Sequence, residues 1–301
     1  MGLLSSLATS FRSRSRESGP PTDAARFWDA RAGEAPVYCA SLPDVREYVN
    51  TTVCGLPWLF PTHAFKSLCA SRPLRKVLSI GCGTGALERE IRFLRIADEV
   101  DAFDVSPESI RIAVGEARRE GVDGVHYEVA DCDRLVPPAG EYDAAFFHQS
   151  LHHISDPDAL LERVRIALRP GGFLYVDEYV GPSRDEWTDE HLDAARRLFG
   201  ELDPSLRLQD VEAPVDARDP SEMIRSSRIL PAIRSRFGVL YERPYWGNLL
   251  FPLVCALRGE ALSRPENRPV VRGLVEEERR LTAEGVFTKP LFAVVVATRL
   301  P

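Results

Sequence analysis

The amino-acid sequence predicts an α/β protein with a doubly wound, mostly parallel sheet and helices on both of its faces. Two observations lead to this class. Short apolar segments typical of buried strands alternate with amphipathic stretches between residues 76 and 180. The first of these strands ends in a glycine-rich turn that leads into a helix. Such alternation sets parallel strands side by side and places the crossover helices on both faces of the sheet.

The strands and helices of this core can be placed in chain order. Asp156 and Pro157 are a typical helix start, and Pro170-Gly171-Gly172 is a typical helix stop before a strand. After residue 179 the alternation lapses, and it resumes near the C-terminus. The predicted strands are 76–80, 100–105, 125–129, 143–147, 173–179, 237–241 and 292–298, and the predicted helices are 86–95, 107–120, 157–168 and 269–284.

Two further regions read as helical and flank this core. Residues 22–70 are rich in aromatic side chains and broken by prolines. Residues 182–236 are polar, with helix starts predicted at Thr188 and at Asp219–Glu222. We therefore divide the chain into a flexible tail (1–21), an N-terminal helical cap (22–72), a cofactor-binding core (73–181), a helical insertion that forms a substrate lid (182–236) and a C-terminal part of the sheet (237–301).

The Ser- and Arg-rich tail allows three interpretations. It is similar in composition to a transit peptide, and Gly2–Ser6 fits a myristoylation pattern. We favour the third interpretation, a solvated tail without a targeting role.

The composition limits the classes of function. Of 301 residues, 44% are hydrophobic and 28% are charged, which is typical of a globular protein. The net charge of −7 disfavours a surface for nucleic acid. No apolar run reaches the roughly 18 residues of a membrane-spanning helix. The six cysteines have neither a CxxC pair nor zinc spacing, so we expect reduced thiols and a cytoplasmic protein without a bound metal.

The glycine-rich turn predicts a cofactor site. Gly81, Gly83 and Gly85 let the backbone turn sharply and let a ligand approach the main chain, and the following helix presents free N–H groups. The pattern fits both a dinucleotide and S-adenosylmethionine (SAM). Asp104, at the end of the next strand, can accept hydrogen bonds from ribose hydroxyls, which both cofactors carry. The turn alone therefore does not choose between them.

Five segments together resemble the class I SAM-dependent methyltransferases, in the order and at the spacing of that superfamily. They cover residues 76–180 and are VLSIGCGTG (77–85), FDVSPESI (103–110), VADCD (129–133), YDAAFFHQSLHHI (142–154) and LRPGGFLYVDE (168–178). The resemblance implies a seven-stranded sheet whose last strand is antiparallel. It also implies SAM as the cofactor and a small-molecule or carrier-linked acceptor.

The resemblance assigns the cofactor site position by position. The family often has an acidic residue where Ser79 stands, so one anchor near the amino group of SAM is missing here. The implied contacts are Gly81, Cys82, Gly83 and Gly85 with the methionine part, Asp104 with the ribose, Val105, Asp131 and the Cys132 N–H with adenine, and His148 and Gln149 with the methionine side.

The loop after the fourth strand supplies a candidate catalytic residue. His152 lies in a segment similar to the H-x-W-S-D segment of some small-molecule O-methyltransferases, with Ile154 in place of tryptophan. An imidazole suits proton removal near neutral pH, so we predict His152 as a general base. The alternative is a histidine that packs and holds the loop. No carboxylate at a suitable spacing supports a metal site beside these histidines.

The sequence thus predicts a SAM-dependent methyltransferase that acts on a small molecule, with O-methylation favoured through its histidines. Two alternatives remain open. One is a nucleotide-binding oxidoreductase, and the other is a SAM-binding regulatory protein without catalysis.

Overall fold

The computed structural model describes residues 22–33 and 39–300, so the tail (1–21) lies outside the described residues. The strands are β1 (Leu74–Ile80), β2 (Ala97–Asp104), β3 (Val125–Val129), β4 (Tyr142–His148), β5 (Leu168–Tyr179), β6 (Phe237–Trp246) and β7 (Phe292–Arg299). The α-helices are α1 (Asp23–Arg31), α2 (Pro43–Cys54), α3 (Thr62–Cys69), α4 (Ala86–Phe93), α5 (Pro107–Glu120), α6 (Pro157–Ala167), α7 (Asp189–Glu201), α8 (Ile229–Arg236), α9 (Leu250–Ala256), α10 (Gly259–Leu262) and α11 (Arg268–Ala283).

The strands form one seven-stranded sheet in the order β3-β2-β1-β4-β5-β7-β6. Strands β1 to β5 pair in parallel, and β7 is antiparallel to both of its neighbours. The predicted fold class is therefore confirmed, including the antiparallel last strand. The strand order reverses between β1 and β4, and in such sheets ligands bind beyond the carboxyl ends of the strands at this point.

A hydrophobic core lies on each face of the sheet. Residues of α6 and α8, such as Leu160 and Ile233, pack on one face. Phe65 of α3 and Ile91 of α4 pack on the other, where Phe65 contacts Phe146 with ring centroids 4.8 Å apart. Buried apolar residues on both faces explain why the strands read as continuous apolar runs.

A third core joins the N-terminal cap to the lid and the C-terminal helices. It contains residues of α2, α7, α9 and α11, among them Val45, Leu192, Leu253 and Leu274. Asp44 in α2 forms ion pairs with Arg268 and Arg272 across this contact. The cap and the lid are therefore packed together at one end of the molecule.

The helix starts were predicted well, but the lid differs from its prediction. Thr188 precedes α7, and the side chain of Asp156 caps α6 by accepting from the N–H of Ala159 at 3.0 Å. The predicted helix start at Asp219–Glu222 is wrong: the segment is a turn, in which the Asp219 carboxylate accepts from the N–H and the hydroxyl of Ser221. Residues 182–236 are α-helical only in α7 and α8.

Helix α1 contacts both the start of α5 and the loop after β4. The Oδ1 atom of Asp29 accepts from the Ser106 hydroxyl at 3.0 Å and from the N–H of Glu108 at 2.8 Å. The ring of the neighbouring Trp28 meets the ring of His153 edge-on at 4.9 Å. This single helix therefore lies beside two separate parts of the sheet edge.

Two features bear on the expected environment of the protein. All six cysteines lie among the described residues and are free. Within residues 22–33 and 39–300, no helix is long and apolar enough to cross a membrane.

Candidate active site

The glycine-rich turn joins β1 to α4 and has the backbone conformation that its sequence demands. Gly81, Gly83 and Gly85 have φ of 72°, 51° and 78°, which side-chain-bearing residues rarely adopt. A Cβ on Gly81 would lie 2.4 Å from that of Ser150, and one on Gly85 would lie 2.5 Å from the Tyr127 hydroxyl oxygen. A Cβ on Gly83 would meet nothing within 4 Å. The outer glycines thus pack tightly, while Gly83 borders open space where a ligand can approach.

Asp104 ends β2 beside this turn. Its carboxylate accepts from the N–H of Gly83 at 2.7 Å and from the N–H of Ser106 at 2.9 Å. Burial raises the pKa of Asp104, and these backbone hydrogen bonds oppose the shift. A carboxylate has about four acceptor positions, so it can hold the turn and still accept from a diol. Val105 follows it directly and is partly buried.

The segment after β3 supplies the other predicted adenine contacts. Asp131 accepts from the N–H of Asp133 at 3.0 Å and keeps a third of its side chain exposed. The Cys132 thiol is buried, and burial raises its pKa well above the usual range. This thiol is therefore unreactive, and the predicted contribution of Cys132 is its backbone.

The structure places an acidic residue beside Ser79 after all. The Ser79 hydroxyl donates to Oε1 of Glu88 in α4 at 2.5 Å, and Oε2 of Glu88 has no hydrogen-bond partner. Burial raises the pKa of Glu88 to about 7. This carboxylate was not predicted, because Glu88 lies in the helix, whereas the family often has its acidic residue at the strand position of Ser79.

His148 and Gln149 follow β4 and meet the end of β5. The Nδ1 atom of His148 lies 3.4 Å from Oδ2 of Asp177, whose Oδ1 accepts from the Tyr245 hydroxyl at 2.8 Å. Burial alone would lower the pKa of His148, but the hydrogen bond and negative charge of Asp177 outweigh it and raise the pKa to about 9. Gln149 has φ of 51°, a strained conformation that is often found at functional sites.

The predicted base, His152, lies in the short 3-10 helix Leu151–His153 and forms a buried pair with Glu178. Its Nδ1 is 2.5 Å from Oε1 of Glu178. The other oxygen of Glu178 accepts from the N–H groups of Ser150 and Leu151 at 2.8 and 2.6 Å. Because the carboxylate holds Nδ1, the remaining nitrogen of the ring, Nε2, is left for other partners.

His153 lies next to His152 and faces the lid. Its Nδ1 is 3.3 Å from Oδ2 of Asp219 and 3.7 Å from Oε2 of Glu222. Burial and the neighbouring His152 lower the pKa of His153 well below its usual range. The contact of Asp219 and Glu222 with His153 was not predicted, because their Asp-Pro-Ser-Glu pattern is also typical of a helix start.

The fold brings the predicted residues to one edge of the sheet, as two neighbouring groups. The glycine turn, Asp104, Asp131 and His148 surround the point where the strand order reverses. His152 lies beside them, toward the lid. Such a sheet, with a glycine turn after β1 and an acid after β2, defines a protein that binds a nucleoside-containing cofactor.

Comparison with known families narrows this class. Residues 77–172 match the methyltransferase domain family. The match contains the glycine turn, Asp104, Asp131 and the histidine loop. The chain therefore contains a segment that matches the methyltransferase domain family, and the predicted resemblance is confirmed.

Curated relatives match about half of the chain. The ubiquinone biosynthesis O-methyltransferase of Xanthomonas axonopodis pv. citri is 30% identical over 152 residues, which are 50% of this chain and 55% of that protein. An uncharacterised protein of Synechococcus is 30% identical over 137 residues, 44% of this chain and 33% of that protein. The chain thus spans about half the length of the first of these relatives and a third of the second.

Solved structures with the same fold cover nearly the whole chain. The geranyl diphosphate C-methyltransferase of Streptomyces coelicolor, with Mg²⁺, geranyl diphosphate and S-adenosyl-L-homocysteine, has a TM-score of 0.56 at 15% identity and covers 94% of this chain and 100% of that chain. The [4+2]-cyclase SpnF has a TM-score of 0.50 at 18% identity and covers 94% and 97%. These likenesses support the fold.

Proposed function

We propose that the protein transfers the methyl group of SAM to a small-molecule or carrier-linked acceptor, with a hydroxyl oxygen as the methylated atom. The observation that carries the proposal is the pairing of two groups at one sheet edge. A cofactor cradle of glycines and Asp104 lies next to a buried histidine whose ring is oriented by Glu178. The C-methyltransferase and the cyclase among the structures show that this fold alone does not specify O-methylation.

The residues of the first group fit SAM. The open space at Gly83 admits the methionine chain, and Asp104 keeps acceptor positions for the ribose hydroxyls. Asp131, the Cys132 N–H and Val105 would hold the adenine. His148 would lie beside the methionine carboxylate, where its raised pKa keeps it positively charged at neutral pH. SAM supplies an activated methyl group, so the protein has mainly to align the two reactants and exclude water.

His152 is the residue that we propose to act on the acceptor. With Nδ1 held by Glu178, its Nε2 can take the proton that leaves an acceptor hydroxyl. Similarity to the O-methyltransferase of Xanthomonas favours oxygen as the methylated atom, and we propose hydroxylated aromatic compounds as the acceptors to test first.

The cofactor is tested by calorimetric titration with S-adenosylhomocysteine, and with NADH in parallel. We expect S-adenosylhomocysteine to bind and NADH not to bind. Asp104→Asn should lower the affinity at least tenfold, because it replaces one ribose acceptor by an amide and keeps the side-chain shape. Arg111, an exposed residue on α5, provides a neutral control as Arg111→Gln. Preference for NADH would contradict the proposal and favour an oxidoreductase.

The reaction is tested separately by formation of S-adenosylhomocysteine in the presence of 3,4-dihydroxybenzoate and related phenols. We expect turnover that depends on the acceptor and a product with one more methyl group on oxygen. Tight binding of S-adenosylhomocysteine without turnover of any acceptor would favour the regulatory alternative. A product methylated on carbon would contradict the O-methylation part alone.

A further inference from the structure

A cluster of metal-ligating side chains lies on the lid side of the sheet edge, next to the proposed acceptor site. One donor atom each from His152, His153 and Glu222 lies within 4.8 Å of the others. The two histidines follow β4, whereas Glu222 belongs to the lid turn. Only the fold brings them together, which is why no ligand spacing was visible in the sequence.

Asp219 lies beside this cluster, and one of its carboxylate oxygens has no hydrogen-bond partner. The Oδ2 atom of Asp219 is buried and accepts no hydrogen bond. It lies 3.3 Å from Nδ1 of His153, and Oε2 of Glu222 lies 3.7 Å from the same nitrogen. Two carboxylates that face one another in a buried place repel unless a proton or a cation lies between them.

Arg184 lies near this cluster, and its positive charge acts on Glu222 without forming an ion pair that the structure shows. Arg184 donates from Nη2 to the backbone carbonyl of Asp219 at 2.9 Å, and not to the carboxylate. The ion pairs that the structure shows for Asp219 and Glu222 are with His153. Among the described residues neither acid is shown in an ion pair with arginine, and a bound cation would neutralise both.

The orientation of His152 is that of a metal ligand. Metal-binding histidines usually donate their other ring N–H to a carboxylate, which fixes the tautomer and the direction of the ligating nitrogen. Glu178 occupies this position at Nδ1 of His152 and is itself held by the N–H groups of Ser150 and Leu151. Nε2 of His152 is then the ligand atom.

We propose that His152, His153, Asp219 and Glu222 bind a divalent transition-metal cation, with Zn²⁺ as the best fit. Imidazole suits zinc and similar metals, and carboxylates complete their coordination. In a tetrahedral zinc site, neighbouring ligand atoms lie about 3.4 Å apart. The separations of 3.3 and 3.7 Å at His153 are close to this value.

The cation would join the lid turn to the sheet edge. Four protein ligands fill a tetrahedral site, so no position is left for the acceptor. The inference does not require the proposed function, and it replaces the proposed role of His152, because a histidine that holds zinc cannot also accept a proton. Metal content therefore decides which of the two roles His152 has.

The test uses the full-length chain, purified without an affinity tag. Zinc content is measured by elemental analysis, and the chelator-treated protein is then titrated with Zn²⁺ by calorimetry and with Co²⁺ by visible absorption. We expect one equivalent of metal and the intense absorption of tetrahedral cobalt. Glu222→Gln and Asp219→Asn should each lower the zinc affinity tenfold or more. The matched control is Glu186→Gln, a lid carboxylate that instead accepts from the N–H of Ser183.

Each remaining outcome counts against the site. Stoichiometric cobalt without tetrahedral absorption, no bound metal, or an equal loss of affinity in Glu186→Gln would overturn the proposal. Titration of every variant with S-adenosylhomocysteine shows that it is folded. If zinc does not bind but S-adenosylhomocysteine does, the metal site is rejected and the proposed function is not. If zinc binds but S-adenosylhomocysteine does not, the proposed function is rejected and the metal site is not.

Discussion

Two histidine–carboxylate pairs lie side by side at the sheet edge and differ in their surroundings. His148 is half exposed and lies 3.4 Å from Asp177, while His152 is nearly buried and lies 2.5 Å from Glu178. The two acids are consecutive in β5, so they point to opposite faces of the sheet. One strand end therefore positions a half-exposed histidine at the proposed cofactor site and an enclosed, oriented histidine toward the lid.

The acids also differ in what else they hold. Asp177 shares its carboxylate with the hydroxyl of Tyr245. Glu178 accepts from three backbone N–H groups besides His152, and one of these comes from the neighbouring Tyr179. Glu178 therefore stabilises the backbone as well as orienting His152, whereas Asp177 contacts mainly side chains. The following predictions separate these roles.

The largest effect is expected from Glu178→Gln. The amide turns an N–H₂ group toward backbone donors and leaves some of them unpaired, so the free energy of unfolding should fall by about 3 kcal/mol. Urea unfolding measures this. The matched control is Glu278→Gln, since Glu278 accepts from four backbone N–H groups, one more than Glu178, but from no histidine. An unchanged stability of Glu178→Gln would show that Glu178 serves the histidine alone.

The next effect is on turnover. His152→Gln should lower kcat about a hundredfold, because removal of a positioned proton acceptor has this size. A similar loss is expected if His152 instead holds a cation. Binding of S-adenosylhomocysteine, measured by calorimetry, should stay within twofold of the wild-type value. A tenfold loss of that binding would place His152 in the cofactor site and remove the distinction between the two pairs.

A smaller effect is expected on cofactor binding. His148→Gln should weaken S-adenosylhomocysteine about tenfold, since it removes a positive charge beside the proposed carboxylate position. The informative comparison is with methylthioadenosine, which lacks the amino acid part. Its affinity should fall less than twofold in the same variant. Equal losses for both ligands would contradict the charge-based role of His148.

The smallest effect concerns the pH dependence. The pKa of His148 is raised to about 9 by Asp177, so their pair stabilises the fold fully below the unfolded-state pKa near 6.5 and is lost as the pH rises through 9. NMR titration of the imidazole should give a pKa near 9 that falls toward 6.5 in Asp177→Asn. The loss of stability should be small because the side chain is half exposed. An unshifted pKa in the variant would show that Asp177 does not set the charge.

The sequence predicted the sheet and the cofactor loop more fully than the lid. The core strands and the glycine turn depend on local patterns, namely apolar runs and glycines at fixed spacing, and the structure confirms them. The turn at Asp219–Glu222 was predicted wrongly, because its Asp-Pro-Ser-Glu sequence can cap a helix or form a tight turn equally well. Contacts with residues distant in the sequence determine whether a helix or a turn forms, and a local sequence pattern does not show these contacts.

Single site residues also differ in whether a local sequence pattern indicates them. The candidate cofactor residues could be expected at one edge, because each lies at or after the end of a strand of the parallel sheet. Glu88 could not, since its contact with Ser79 depends on which face of α4 turns inward at its first turn. Glu178 lies within the predicted strand 173–179, but its hydrogen bonds to the histidine loop depend on the fold and could not be predicted.

Helix α1 links the two halves of this edge through adjacent residues. Asp29 bonds to the start of α5, next to the predicted ribose-binding Asp104, and Trp28 packs on His153. A ligand that orders one of these contacts holds the helix in place for the other, and this effect is reciprocal. We therefore expect S-adenosylhomocysteine and an acceptor molecule to bind cooperatively, each with a higher affinity when the other is bound.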